Sequence, residues 1–195
     1  MARTLPDARY ITEDVRLVSS RNEQKSATGA NRQRIARKGS HYLAVFVCEP
    51  MTLEDAREWR RLETEQETVV AQLEQPGLDA GAPGAVLVDG AGQAGASLDL
   101  KGLTPQYPVR EGQMLVHISA SGVRRLYIAD EEVVAGAAGL ATIPLKTMLL
   151  VPPADEDVVD LVNLTIEGFA MIEEGSFLID GDGFVNVRFT VEESG

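Results

Sequence analysis

The stretch Leu87-Val-Asp-Gly-Ala-Gly-Gln-Ala-Gly-Ala-Ser-Leu-Asp-Leu-Lys-Gly-Leu103 places four glycines between short apolar segments. It follows Pro76-Gly-Leu-Asp-Ala-Gly-Ala-Pro-Gly84, which is rich in glycine and proline. Glycine permits a positive φ, and proline fixes φ and lacks an amide donor, so both residues favour a connection over a regular element. The stretch is therefore either the start of an inserted unit or a loop that binds phosphate.

The phosphate interpretation rests on Gly90-Ala-Gly-Gln-Ala-Gly95, which matches the G-x-G-x-x-G pattern. A dinucleotide site needs these glycines at a strand-to-helix turn, with the pyrophosphate at the N-terminus of the helix. No amphipathic helix pattern follows, because residues 97–103 form a short segment that leads to Pro105 and Pro108. The sequence therefore favours a glycine-rich loop and predicts no cofactor.

Short β patterns at hairpin spacing follow the glycine-rich stretch. They predict strands over residues 113–119, 123–134 and 140–143, before Pro144, Pro152 and Pro153 interrupt the chain. These strands form a unit of roughly 70 residues, which we expect to be a small barrel or sandwich.

Upstream of the stretch, the pattern predicts strands over residues 10–20, 41–49 and 68–74. In the first of these, Ile11, Val15 and Leu17 are expected on one face. A helix over residues 52–65 is predicted between the second and third strands, with Thr52 as its N-cap. Its buried stripe is expected to include Trp59.

The end of the chain alternates regularly between apolar and polar residues. Val185, Val187, Phe189 and Val191 fall on one face of a strand over residues 184–191, which is expected to pair with the N-terminal sheet. The predicted architecture is mainly β, a sandwich or split barrel with one α-helix and an inserted small barrel-like β domain. Residues 1–80 and 158–195 form the discontinuous parent domain, and residues 85–157 form the insertion.

Composition limits the classes of function. The chain has 195 residues, of which 44% are hydrophobic and 25% charged, and this is typical of a globular protein. The longest apolar run, Leu43 to Cys48, is too short for a bilayer span, and residues 1–6 lack the apolar core of a secretory signal. We therefore expect a soluble protein made in the cytoplasm, with no membrane contact.

The charge is unevenly distributed. Residues 1–61 carry 12 Lys/Arg and 8 Asp/Glu, a net charge of +4, whereas residues 62–195 carry 6 and 22, a net charge of −16. An acidic body of this kind repels the nucleic-acid backbone, so specific DNA binding is not expected.

No catalytic or metal site is predicted. Cys48 is the only cysteine and is expected to be buried, and His41 and His117 stand isolated in strand patterns. Asp180-Gly-Asp-Gly183 fits a hairpin turn, since a calcium loop would need ligands where Phe184 and Val191 stand. Residues 63–67 and 155–157 are interpreted as solvated acidic faces.

The polar segment 19–31, which lacks apolar periodicity, is predicted to be a long flexible loop, and the chain becomes basic after it. The basic residues of this region are candidate contacts to the acidic body of a neighbouring copy. They are Arg21, Lys25, Arg32, Arg34, Arg37 and Lys38. The alternative is an ordinary solvated loop.

The order of these features resembles the minor tail proteins of long flexible-tailed bacteriophages, of the distal tail type. The likeness covers nearly the whole chain, although each motif is weak by itself. It is carried by Met51-Thr-Leu-Glu-Asp-Ala-Arg-Glu-Trp59, Val88-Asp-Gly-Ala-Gly-Gln-Ala-Gly-Ala-Ser-Leu98, Val109-Arg-Glu-Gly-Gln113, Arg125-Leu-Tyr-Ile128, Ala138-Gly-Leu-Ala-Thr-Ile-Pro144, Pro152-Pro-Ala-Asp-Glu-Asp157 and Phe184-Val-Asn-Val-Arg-Phe189. This chain has fewer aromatic residues than is usual in that family.

The resemblance implies a tail-tube-like β domain and a ring, commonly of six copies, at the tip of the virion tail. Such a ring joins the tail tube protein to the tail hub or fibre proteins, and DNA passes through its lumen without specific binding. The resemblance carries no catalytic residues. The alternatives are a tail-tube or tail-terminator protein and, in a different class, a carbohydrate-binding module whose stacking residues would be Tyr107 and Tyr127.

Overall fold

The structure is a computed structural model that describes residues 2–6, 9–20, 22–25, 32–35, 38–62 and 67–194. Strands account for 44% of it and helical residues for 6%, and the sheets curl into half-barrels. The predicted mainly-β class with one α-helix is therefore confirmed.

The elements are numbered in chain order. The strands are β1 (Arg3–Thr4), β2 (Tyr10–Val18), β3 (Asn22–Lys25), β4 (Arg32–Ile35), β5 (His41–Cys48), β6 (Val69–Gln72), β7 (Gly84–Val88), β8 (Ser97–Leu103), β9 (Pro108–Val109), β10 (Met114–Ile118), β11 (Arg124–Ile128), β12 (Val133–Val134), β13 (Ala141–Pro144), β14 (Val158–Asp160), β15 (Thr165–Ile172) and β16 (Arg188–Glu193). The helix α1 (Leu53–Trp59) continues into a 3-10 turn (Arg60–Leu62).

The first six-stranded sheet has the order β1-β6-β15-β16-β5-β2. Its last strand in the chain, β16, pairs antiparallel with β5, so that Phe189 lies opposite Phe46. The C-terminal strand therefore pairs with the N-terminal sheet, as the alternation predicts. That strand begins at Arg188 rather than at residue 184, because Val185 forms an isolated bridge with Met51.

The second six-stranded sheet has the order β11-β10-β14-β7-β8-β13 and is built from residues 84–160. The sequence assigned Val158 to the parent domain, but Val158 pairs with Leu87 and Ile118 in the second sheet. The chain rejoins the first sheet only at Thr165. The predicted strand over residues 123–134 is also wrong in extent, since it is divided into β11 and β12.

The helix packs one face onto the first sheet. Thr52 accepts a hydrogen bond from the Asp55 amide, which confirms the predicted N-cap. Trp59 and Leu62 are buried in the core, and the Trp59 ring lies 5.0 Å from that of Phe189. The α-helix ends at Trp59 instead of near residue 65, because the 3-10 turn replaces its last predicted turn.

Strand β2 contains a β-bulge at Glu13. Thr12 pairs with Phe46 and Asp14 with Val45, so Glu13 is an extra residue. A bulge shifts the alternation of side chains by one residue. The prediction that Ile11 shares a face with Val15 and Leu17 is therefore wrong, and Ile11 lies opposite Val47 on the other face.

The two sheets contribute to a common core. Val116 and Leu126 come from the second sheet but belong to the hydrophobic cluster of the first. The same boundary contains Glu193, which is buried and accepts hydrogen bonds from the amides of Tyr42 (2.7 Å) and Leu126 (2.7 Å). A second cluster lies within the other sheet, around Leu98, Leu115 and Tyr127. Apolar packing and a shared carboxylate thus join residues 84–160 to the rest of the fold.

Candidate subunit interface

The basic region contains a two-stranded ribbon, formed by β3 and β4. The strands pair antiparallel, with Asn22 opposite Ile35 and Lys25 opposite Arg32. The prediction of a flexible loop over residues 19–31 is therefore wrong for residues 22–25. Backbone pairing supplies hydrogen bonds without apolar alternation, so the sequence pattern gave no signal for this ribbon.

The ribbon pairs with no other strand among the described residues. The hydrogen bond from the Ser20 amide to the Ser40 hydroxyl, at 3.1 Å, closes its base beside the first sheet. An isolated two-stranded hairpin is at best marginally stable in water, and stability comes from further strands or packing. A surface that covers the ribbon would therefore stabilise it.

Four of the six basic residues proposed as contacts lie in the described parts of the chain. Lys25 ends β3, Arg32 and Arg34 lie on β4, and Lys38 is exposed in the following turn. Lys25 stands opposite Arg32, a pair of like charges, whereas Glu23 stands opposite Arg34, a pair of opposite charges. Arg21 and Arg37 lie outside the described residues.

Strand β2 is the long edge of the first sheet, since β1 at the other edge has only two residues. A free edge can add a strand from another chain. Here the edge carries the bulge at Glu13 and an ion pair between Asp14 and Arg16, and such features oppose strand addition. The ribbon is therefore the better candidate contact.

His41 lies beside the base of the ribbon and is not isolated, contrary to the sequence prediction. Its Nδ1 lies 3.0 Å from the Gly39 carbonyl and its Nε2 lies 2.8 Å from the Glu192 carboxylate. Partial burial by itself lowers the pKa of His41, but these two acceptors raise it on balance. Only the imidazolium can donate to both acceptors.

His117 also has a partner, because its Nε2 lies 2.8 Å from Asp157. Asp157 was expected in a solvated acidic face, but it is buried and also accepts hydrogen bonds from the Ala120 and Ala154 amides. Burial alone raises the pKa of Asp157, whereas these hydrogen bonds lower it on balance. Forty residues separate the two partners, so no local pattern could have revealed the pair.

A cleft of about 360 Å³ lies over this pair, with Ser119, Ser121 and Arg125 among its lining residues. The two serine hydroxyls bond to each other at 2.9 Å, and Arg125 donates to the Ser194 carbonyl. Asp157 accepts hydrogen bonds from the amides of residues 120 and 154. These contacts attach the loop before β14 to the turn that follows β10, at the end of the second sheet.

The glycine-rich loop is held by the Gln93 side chain. Its Nε2 donates to the carbonyls of Asp89, Gly90 and Asp99, and its Oε1 accepts from the Asp99 amide at 2.7 Å. Strand β8 follows the loop directly, as expected for a loop within a β unit. The helix that a dinucleotide site requires does not follow these glycines in the described residues.

The tyrosines of the carbohydrate alternative do not form a stacking surface. Tyr127 is buried in the second core, and Tyr107 is half-buried with its hydroxyl bonded to the Ala80 carbonyl at 2.7 Å. Sugar stacking requires an exposed ring face.

Asp155 belongs to the segment 155–157 that was expected to be a solvated acidic face. Unlike Asp157, it is exposed, and it pairs with Lys101 at 2.9 Å.

Comparison with protein-family models finds no match to this chain, and a search of curated proteins finds none. Within the described ranges, no helix has the length and apolar character needed to cross a membrane. In the same ranges, no group of three or more His, Cys, Asp or Glu residues is arranged to hold a metal ion.

Proposed function

We propose that this protein is a structural component of a phage tail, a distal tail adaptor that forms a ring through contacts between identical copies. The observation that carries the proposal is the ribbon of β3 and β4, which is basic and pairs with no other described strand. The described ribbon carries Lys25, Arg32 and Arg34 against the single acidic residue Glu23, and the acidic body of a second copy complements this positive charge.

The charge distribution supports the same proposal. Residues 62–195 carry six Lys/Arg against 22 Asp/Glu, so a ring of such subunits repels a passing DNA backbone. We propose that DNA passes through the lumen of the ring without specific binding. The ring, commonly of six copies in the family that the sequence resembles, would join the tail tube protein to the hub or fibre proteins at the virion tail tip.

The fold is compatible with this assignment. A mainly-β protein with one helix is the architecture that the resemblance implies. The carbohydrate-binding alternative is weaker, because Tyr127 is buried and Tyr107 is half-buried.

Electron microscopy and light scattering of the purified protein test the proposal. We expect closed rings with a central hole, and a mass that falls towards the monomer as salt is raised, because salt screens contacts between opposite charges. Arg32→Glu with Arg34→Glu is expected to abolish the rings. Arg57→Glu with Arg110→Glu makes the same change of charge at exposed positions outside the ribbon and should preserve them.

A wild-type protein that stays monomeric at low salt and high concentration would overturn the proposed function. Rings that persist in the Arg32→Glu and Arg34→Glu variant would show that the ribbon is not the contact.

A further inference from the structure

The loop between β15 and β16 exposes three large apolar side chains within seven residues. Leu178 is 71% exposed, Ile179 58% and Phe184 44%. Single exposed apolar residues are common on protein surfaces, but a group of them marks an interaction site. We refer to residues 173–184 as the acidic apolar loop.

Internal hydrogen bonds hold this loop in one conformation. Asp180 accepts from the amides of Asp182 (3.0 Å) and Phe184 (2.8 Å), and its own amide donates to the Phe184 carbonyl. Val185 pairs with Met51 at the start of the helix and with Ile179. A fixed loop loses little conformational entropy when a partner binds, and this favours docking.

Phe177 joins the loop to the helix region. The Arg60 guanidinium lies 4.7 Å from the centre of its ring, a cation–π contact. Phe177 has a φ of 68°, which is rare for a bulky residue. The two side chains that follow Phe177, those of Leu178 and Ile179, are exposed to solvent.

The loop is also strongly acidic. Residues 173–184 contain Glu173, Glu174, Asp180 and Asp182 and no Lys or Arg. Arg188 pairs with Glu173 at 3.1 Å and also with Glu13, and the Asp180 carboxylate accepts the amide hydrogen bonds of the turn. The carboxylates of Glu174 and Asp182 are exposed and bond to no described residue, so these two negative charges beside the apolar side chains are available to a partner.

We propose that the acidic apolar loop of one copy binds the ribbon of β3 and β4 of the next copy. The described ribbon carries Lys25, Arg32 and Arg34 against one acidic residue, Glu23, and its net positive charge complements the carboxylates of Glu174 and Asp182. The inference rests on the proposed function, since it names the surface on which the ring closes.

An exchange of charges tests this contact in the full-length protein. The loop variant Glu174→Lys with Asp182→Lys and the ribbon variant Arg32→Glu with Arg34→Glu should each weaken self-association about tenfold or more, because like charges then face each other. Mixing the two variants should restore assembly, since each loop then meets a ribbon of opposite charge. Sedimentation velocity measures all three samples.

The apolar part of the contact has its own test. Leu178→Ser is expected to weaken self-association about tenfold, as burial of a leucine side chain would predict. Leu140→Ser is the matched control, because Leu140 is 48% exposed but lies in the second sheet's connections. It should leave assembly unchanged.

The outcomes separate this inference from the proposed function. If the wild type forms rings and the loop variants assemble as well as the wild type, the inference fails and the function stands. If each variant fails alone and the mixture also fails, the loop and ribbon do not meet between copies, and the inference is overturned. A monomeric wild type overturns both.

Discussion

Two buried carboxylates, in different surroundings, have pKa values shifted in opposite directions, so their contributions to stability change with pH in opposite ways. The Asp157 pKa is lowered on balance by its hydrogen bonds to His117 and two amides. Burial raises the pKa of Glu193, and the amides of Leu126 and Tyr42 offset this only in part. The stability that Asp157 supplies is therefore present at neutral pH, whereas the contribution of Glu193 declines as the pH rises through its raised pKa.

Asp157→Asn is expected to reduce the free energy of unfolding by about 2 kcal/mol at pH 7, because the charged acceptor of His117 is lost. The difference from the wild type should shrink as the pH falls below about 4, where aspartate protonates in the unfolded chain and then in the folded one. Urea unfolding at a series of pH values measures it. Asp89→Asn, at an exposed position, is the control, and a difference that did not change with pH would contradict this explanation.

At the scale of elements, β11 is an edge strand of the second sheet. Carboxylates, instead of a further strand, accept hydrogen bonds from its outward-facing amides. The Arg124 amide donates to Glu167 at 2.9 Å and the Leu126 amide donates to Glu193. Such acceptors satisfy edge amides without inviting another strand. The edge of the second sheet is thereby joined to β15 and β16.

Glu193→Ala is expected to cost about 3 kcal/mol, because the buried amides of Tyr42 and Leu126 then lack an acceptor. Chemical denaturation measures the loss, and hydrogen exchange at these two amides should accelerate in the variant. Glu193→Gln retains one acceptor and should lose less.

Glu131→Ala provides the matched control for this change, since its side chain is exposed. Unchanged exchange at Leu126 in Glu193→Ala would show that another group satisfies this amide.

At the scale of the whole molecule, the shared core predicts one cooperative unfolding transition. Trp59, the only tryptophan, reports on the first core, whereas Leu98 is buried in the second. If the sheets unfold together, Leu98→Ala should lower the stability measured by Trp59 fluorescence by about 3 kcal/mol. Leu140→Ser, exposed in the same part of the chain, should leave it unchanged. A Trp59 transition unaffected by Leu98→Ala would show that the two sheets unfold independently.

Local chemistry determined the features that the sequence alone could predict. Alternation with a period of two identified the face formed by Val185, Val187, Phe189 and Val191, all of them buried. The hydroxyl of Thr52 marked the start of the helix, since an N-cap needs only the next few residues.

Tertiary structure decided the features that depend on register and on distant partners. The bulge at Glu13 reversed the face of Ile11, and strand pairing made an ordered ribbon of a polar segment. The pairing of His117 with Asp157 and the docking of Glu193 against β11 join residues 40 and 67 positions apart. Such contacts leave no periodic pattern, because the first depends on the strand arrangement of the second sheet and the second depends on how the two sheets pack together.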